Sequence, residues 1–67
     1  MSGHLKLKEY RESRKLSLRD LAQELGVNYS TLSYWETGKK TPRAGNKMKL
    51  ANFFGVPADE LLKKGDN

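Results

Sequence analysis

Leu21-Ala22-Gln23-Glu24-Leu25-Gly26-Val27-Asn28-Tyr29-Ser30-Thr31-Leu32-Ser33-Tyr34-Trp35-Glu36 reads as two short helices hinged at Gly26. Leu18, Leu21, Ala22 and Leu25 recur at spacings of three, four and seven, one apolar stripe of an α-helix. Gly26 stops that helix, because a helix exit commonly needs a left-handed backbone that glycine adopts without steric cost. Asn28 is placed to cap the next helix with its side-chain oxygen, and Val27 before it to staple onto Leu32. Leu32 and Trp35 continue the stripe, which turns Tyr29, Ser30, Ser33 and Tyr34 outward. The earlier helix has a matching start: Ser17 as cap, Asp20 in the capping-box position, and Leu16 stapling onto Leu21. Helices of about eight residues do not stand alone, so the rest of the chain must buttress them.

Upstream, a first helix is expected over 5–14, with Leu7, Tyr10, Arg11 and Arg14 as its inner stripe and Lys15 at its exit, where glycine or asparagine would be more comfortable. The central pair is expected over 18–25 and 29–36. After Gly38 comes a basic loop, Lys39-Lys40-Thr41-Pro42, and then a helix over about 43–54. Its start is open, at Pro42 or only after Asn46, since Gly45 and Asn46 are poor helix formers. Leu50, Ala51 and Phe54 face inward, Met48 and Phe53 pack at the edges, and Gly55 ends it. A last helix is expected over 58–63, where Asp59 and Glu60 near the start and Lys63 and Lys64 near the end complement the dipole. Leu61 and Leu62 close the core, Gly65-Asp66-Asn67 should fray, and the ordered part is expected over about 4–64. No segment alternates with period two, so the chain reads as a single all-α domain of five helices.

With 67 residues the chain lies near the lower size at which a domain folds without metal or disulfide, and it has no cysteine for a disulfide or a thiolate metal site. Apolar runs are too short for a membrane span or a signal peptide, which makes the cytoplasm the expected location. Thirteen Lys and Arg against eight Asp and Glu leave a net charge of +5, which suits a polyanionic partner. The distribution says more than the sum. No acidic residue lies between Glu36 and Asp59, a window that holds Lys39, Lys40, Arg43, Lys47 and Lys49. Lys6, Lys8, Arg11, Arg14, Lys15 and Arg19 form a second basic group on the N-terminal side. Both groups flank the outward face of the Asn28 to Glu36 helix, and a basic helix-turn-helix points to DNA.

Nothing in the chain recommends catalysis, a cofactor or a metal. Asp20 and Glu24 are a carboxylate pair on a solvent face without a pocket, and His4 stands alone. No nucleophile-base pair or glycine-rich phosphate loop is present. Trp35 is expected in the core, and Tyr10 half-buried with its hydroxyl at the rim.

From Leu5 to Leu62 the chain resembles the Cro and lambda-repressor-like helix-turn-helix domains, often called the XRE family. The resemblance is carried by Leu16-Ser17, Leu21-Ala22, Leu25-Gly26-Val27, Leu32, Trp35-Glu36 and Gly38. Downstream it continues through Pro42, Leu50-Ala51, Phe54-Gly55-Val56 and Asp59-Glu60-Leu61-Leu62. It implies a compact five-helix domain that places its third helix in the major groove of double-stranded DNA, usually as a two-fold dimer on a palindromic operator. The groove-facing positions it implies are Asn28, Tyr29, Ser30, Ser33 and Tyr34. Family members often carry glutamine, arginine or lysine there; the hydroxyls and phenols of this chain imply single hydrogen bonds and packing against thymine methyls.

Leu18 stands where the family commonly has a glutamine that bonds a phosphate and braces the third helix. Leucine can do neither by hydrogen bonding, which leaves the helix amides to serve the phosphate. The resemblance further implies an ion pair of Arg11 with Glu36. Lys39 and Lys40 are expected on phosphates, and Arg43 either enters the minor groove or is an exposed helix-start residue. The function implied is a transcriptional regulator, in the first place a repressor, without an enzymatic activity. An antitoxin, a restriction-modification controller or a protein-interaction adaptor could be built on the same domain. A homodimer is expected on DNA, with the apolar side chains of Val56 to Leu62 at its interface.

Overall fold

The computed structural model describes residues 3–65. Five helices follow one another: α1 Lys6–Ser13, α2 Leu18–Leu25, α3 Tyr29–Thr37, α4 Ala44–Phe54 and α5 Ala58–Leu61. They enclose one core of Leu7, Leu21, Ala22, Leu25, Leu32, Trp35, Leu50, Phe54 and Leu61. Tyr10, Leu16, Leu18, Val27, Phe53 and Val56 pack around its edge. α2 and α3 bury the stripes that their spacing dictates, and Trp35 lies inward at 3% exposure, whereas of the pair expected to close the core Leu61 enters it and half-buried Leu62 does not.

The α2–α3 turn is where local chemistry fixes the architecture. Ser17 accepts a hydrogen bond from the Asp20 amide at 3.0 Å while the Asp20 carboxylate accepts one from the Ser17 amide at 3.3 Å, a complete capping box. Gly26 leaves α2 in the left-handed region at φ 73°, and the Val27 amide bonds back to Ala22 O at 3.0 Å. Val27 then docks against the core, which sets the angle at which α3 departs. Lys15, at the exit of α1, has φ 58° and is the non-glycine residue with a positive φ among those described.

Several expectations need correction. α1 runs Lys6–Ser13 and not 5–14, because Leu5 is drawn into extended pairing: it forms an isolated antiparallel bridge with Lys64, and its amide donates to Glu36 O at 2.7 Å. Arg14 is exposed and lies outside the inner stripe. Its guanidinium lies over the rings of Phe53 and Phe54, at 5.1 and 4.9 Å, and donates to Phe53 O at 2.9 Å, satisfying the end of α4. The last helix stops at Leu61, since the following backbone is used elsewhere: Lys63 O accepts from the Lys6 amide at 2.8 Å. Lys63 and Lys64 thus lie beyond α5.

α4 begins at Ala44, with Gly45 and Asn46 inside it. Met48 is 66% exposed and packs at no edge. Gly65 is tied down, its amide donating to His4 O at 2.9 Å, while the fraying expected of Asp66 and Asn67 lies outside the described residues.

Candidate nucleic-acid interface

α3 is held from behind. Arg11 of α1 donates from Nε to Glu36 Oε2 at 2.6 Å and from a terminal nitrogen to Glu36 Oε1 at 3.1 Å, a bidentate pair at 7% and 3% exposure. A third Arg11 donor reaches Leu16 O at 2.7 Å, so the same guanidinium also fixes the approach to α2. With Leu5 bonded to the Glu36 carbonyl as well, the end of α3 is anchored through both side chain and backbone. Charges this deeply placed persist only when their hydrogen-bonding capacity is met, and no buried side-chain nitrogen or oxygen is left without a partner among the described residues.

The opposite side of α3 is open. At about 100° per residue, Tyr29, Ser33, Ser30 and Tyr34 follow one another around an arc of roughly 140°, with the two tyrosines at its margins and the two serines between them. Thr37 falls inside the same arc, and its hydroxyl is turned back onto Ser33 O and Tyr34 O at 3.2 and 3.3 Å. Tyr29 and Tyr34 are 52% and 40% exposed, which leaves their rings available to a partner. The exposed face is a shallow hydroxyl strip between two aromatic walls. Thr37 was missed by sequence reasoning, although its spacing of four from Ser33 and seven from Ser30 carries the signal.

Basic residues sort into those with an internal partner and those facing outward. Arg11 is spent on Glu36, Arg14 on the end of α4, and Lys49 on Leu25 O at 3.2 Å. Lys6 and Lys63 lie 3.5 Å from the Glu60 carboxylate, which Lys6 above all holds below its ordinary value. Arg19, Lys39, Lys40 and Arg43 make no ion pair among the described residues. The amides of Lys39 and Lys40 both donate to Tyr34 O, at 2.9 and 3.3 Å, which fastens this basic loop to the last turn of α3. Arg43 is exposed at the N-cap of α4, immediately after buried Pro42.

Two cations lie over the tyrosine walls. The Arg19 guanidinium is 5.2 Å from the Tyr29 ring centroid, and Lys40 Nζ is 5.1 Å from that of Tyr34. Contacts of this kind at exposed sites are worth about 0.5–1 kcal/mol each. The first spans the turn between α2 and α3, and periodicity could not have disclosed it.

Leu18 is half-buried against the core and borders a small concavity with Lys8, Ser33 and Thr37. Asn28 has the extended backbone of a cap, φ −70° and ψ 146°, but its side chain makes no capping hydrogen bond. Its carboxamide borders the cleft it shares with Arg19 and Tyr29, and the amides at this open helix start are left to water. His4 does not stand alone, since its Nε2 is 2.9 Å from Glu9 Oε2. Asp20 is committed to its capping box, whereas Glu24 borders an open cleft with Lys49, Asn52 and Phe53. No group of three or more His, Cys, Asp or Glu that could hold a metal ion occurs among the described residues.

A helix-turn-helix family profile matches residues 7–61. The chain belongs to the XRE-type helix-turn-helix transcriptional regulators. Members of this DNA-binding family are regulators, not enzymes. The helix-turn-helix chain is 41% identical over 57 residues to an uncharacterized HTH-type transcriptional regulator of Methanocaldococcus jannaschii, covering 85% of this chain and 86% of that one. It is 37% identical over 62 residues to the transcriptional activator BcrR of Enterococcus faecalis, covering 92% of this chain and 30% of the relative. The cryptic phage CTXphi transcriptional repressor RstR of Vibrio cholerae is 33% identical over 61 residues, covering 91% of this chain and 55% of the repressor. The helix-turn-helix regulator thus spans most of the first relative and about half or less of the other two. No solved structure matches significantly. No helix among the described residues is long and apolar enough to cross a membrane.

Proposed function

We propose that this helix-turn-helix domain binds double-stranded DNA sequence-specifically, as a two-fold dimer on a palindromic operator, and represses by occupying a promoter. The observation that carries the reading is the outward arc of α3, rigidly backed by the Arg11–Glu36 pair and flanked by outward-facing Arg19, Lys39, Lys40 and Arg43. α3 has the width to enter a major groove, where Asn28, Tyr29, Ser30, Ser33 and Tyr34 meet base edges. Serine hydroxyls make single hydrogen bonds and discriminate less per contact than bidentate glutamine or arginine. Lys39 and Lys40 serve the phosphates beside the end of α3, Arg43 reaches toward a narrow A·T-rich minor groove, and the α2 amides next to Leu18 serve a phosphate in place of a glutamine.

The dimer face lies around α5. Leu61 is wholly consumed by the core, so Val56 and Leu62, both half-buried, carry the apolar part of it. RstR is named a repressor and BcrR an activator; repression by occupancy asks only for the DNA-binding surface.

Selection of duplexes from a random pool, followed by sequencing, tests the reading. The expected result is an enriched two-fold palindrome. Absence of any enriched sequence overturns it and favours a protein-interaction adaptor.

A further inference from the structure

We propose that Arg19, on α2, is a DNA-backbone contact at the leading margin of α3, and that Tyr29, besides bordering the groove, is its positioning residue, with one ring face turned to the guanidinium. This rests on the reading of α3 as the groove-entering helix.

Arg19 is held against one aromatic ring. It sits in the first turn of α2, is exposed, and makes no ion pair or side-chain hydrogen bond among the described residues; its defined neighbour is the Tyr29 ring, 5.2 Å from Cζ to centroid. A guanidinium over an aromatic face is attracted by the ring without spending its N–H donors, so the contact positions the side chain and leaves the bonds a phosphate would take. Tyr29 in turn is fixed at the first position of α3, at one margin of the outward arc. A cation resting on it therefore stands beside the groove-facing strip and not within it. Lys40 over Tyr34 repeats the arrangement at the other margin, 5.1 Å from Nζ to centroid. The two margins of α3 carry one cation each, and the serines lie between them. This matches a duplex major groove, whose floor presents base edges and whose two walls are phosphate backbones. Large rings left 52% and 40% exposed gain a role by this account, as platforms that aim charge at the walls.

The test measures affinity for a fluorescein-labelled 24-base-pair duplex of mixed sequence between 50 and 200 mM KCl. Each phosphate contact contributes about −0.9 to the slope of log K against log salt. Arg19→Gln is expected to flatten the slope by about that amount, so that affinity falls roughly three- to fourfold less over this range. Tyr29→Phe, which keeps the ring, retains the wild-type slope. Tyr29→Leu flattens it as Arg19→Gln does, and combining the two changes nothing further. Both side chains are exposed, and circular dichroism superimposable on wild type shows that the variants fold. A wild-type slope in Arg19→Gln overturns the backbone contact, and one in Tyr29→Leu overturns the positioning role. Independent additive losses overturn the coupling between them. A wild-type protein that binds no duplex overturns the reading of α3 itself, and this assignment with it.

Discussion

Arg11 and Glu36 concentrate much of what a small domain can lose at one point. A domain of this length is stable by roughly 3–10 kcal/mol at the usual 0.05–0.15 kcal/mol per residue. Stranding either buried charge costs about 3–5 kcal/mol, so Arg11→Ala and Glu36→Ala should each lower the urea midpoint severely or leave the chain unfolded at 25 °C. Replacing both by apolar residues of similar volume, Arg11→Met with Glu36→Leu, should recover most of that loss, because no uncompensated charge remains. Single variants that melt like wild type would show the pair to be ornamental. Glu60 gives a milder, pH-dependent case. Lys6 first, then Lys63, hold its carboxyl below the ordinary 4.5 against an opposing push from burial. Its contribution is complete above that ordinary value and is lost as pH falls through the lower, folded one. Urea midpoints of wild type and Glu60→Gln should therefore differ at pH 7 and converge as the solution is acidified below that ordinary value. A difference that persists unchanged through that range would assign the effect to packing.

Helix ends put the same backbone physics to opposite uses. Gly26 ends α2 at φ 73°, and a β-carbon there would meet nothing within 4 Å, so Gly26→Ala suffers backbone strain alone, about 1–2 kcal/mol. Lys15 already carries such strain at φ 58°, and Lys15→Gly should gain up to about 1 kcal/mol, offset in part by the extra freedom of the unfolded chain. Thermal melts of the two variants should move in opposite directions. Movement in the same direction would refute the left-handed geometry at one of the sites. Helices were readable wherever the signal was local: the Leu21, Ala22 and Leu25 stripe, the Ser17 and Asp20 box and the Gly26 exit all sit within a few residues of what they determine. Errors fell where a distant partner decided. Leu5 leaves α1 because Lys64 and Glu36 take its backbone, and α5 stops early because Lys63 O serves Lys6. Of the candidate interface, periodicity supplied the outward face of α3. It could not supply Arg19 over Tyr29, a contact across two elements, nor the unused cap of Asn28, which water can replace.

Four cations without an ion pair among the described residues, Arg19, Lys39, Lys40 and Arg43, border α3 on the helix before it and the loop after it, within a chain of net charge +5. Charge so placed speeds encounter with a polyanion and makes affinity fall with salt. With Leu61 buried, the apolar surface near α5 is small, and the protein alone should sediment as a monomer at micromolar concentration. On a duplex bearing the selected palindrome two chains should bind together; one chain per duplex at saturation would remove the two-fold dimer. The pairing of Leu5 with Lys64, with Gly65 bonded to His4, has a consequence for connectivity. It brings the two ends of the described chain side by side, so a short peptide could join them into a closed ring without bending any helix. Ring closure over this length would remove unfolded-state entropy on the order of 4 kcal/mol. A cut at the Lys15 turn would then give a circular permutant that starts with the α2–α3 helix-turn-helix and ends with α1. The order in which the helices leave the ribosome is thus separable from the shape they make.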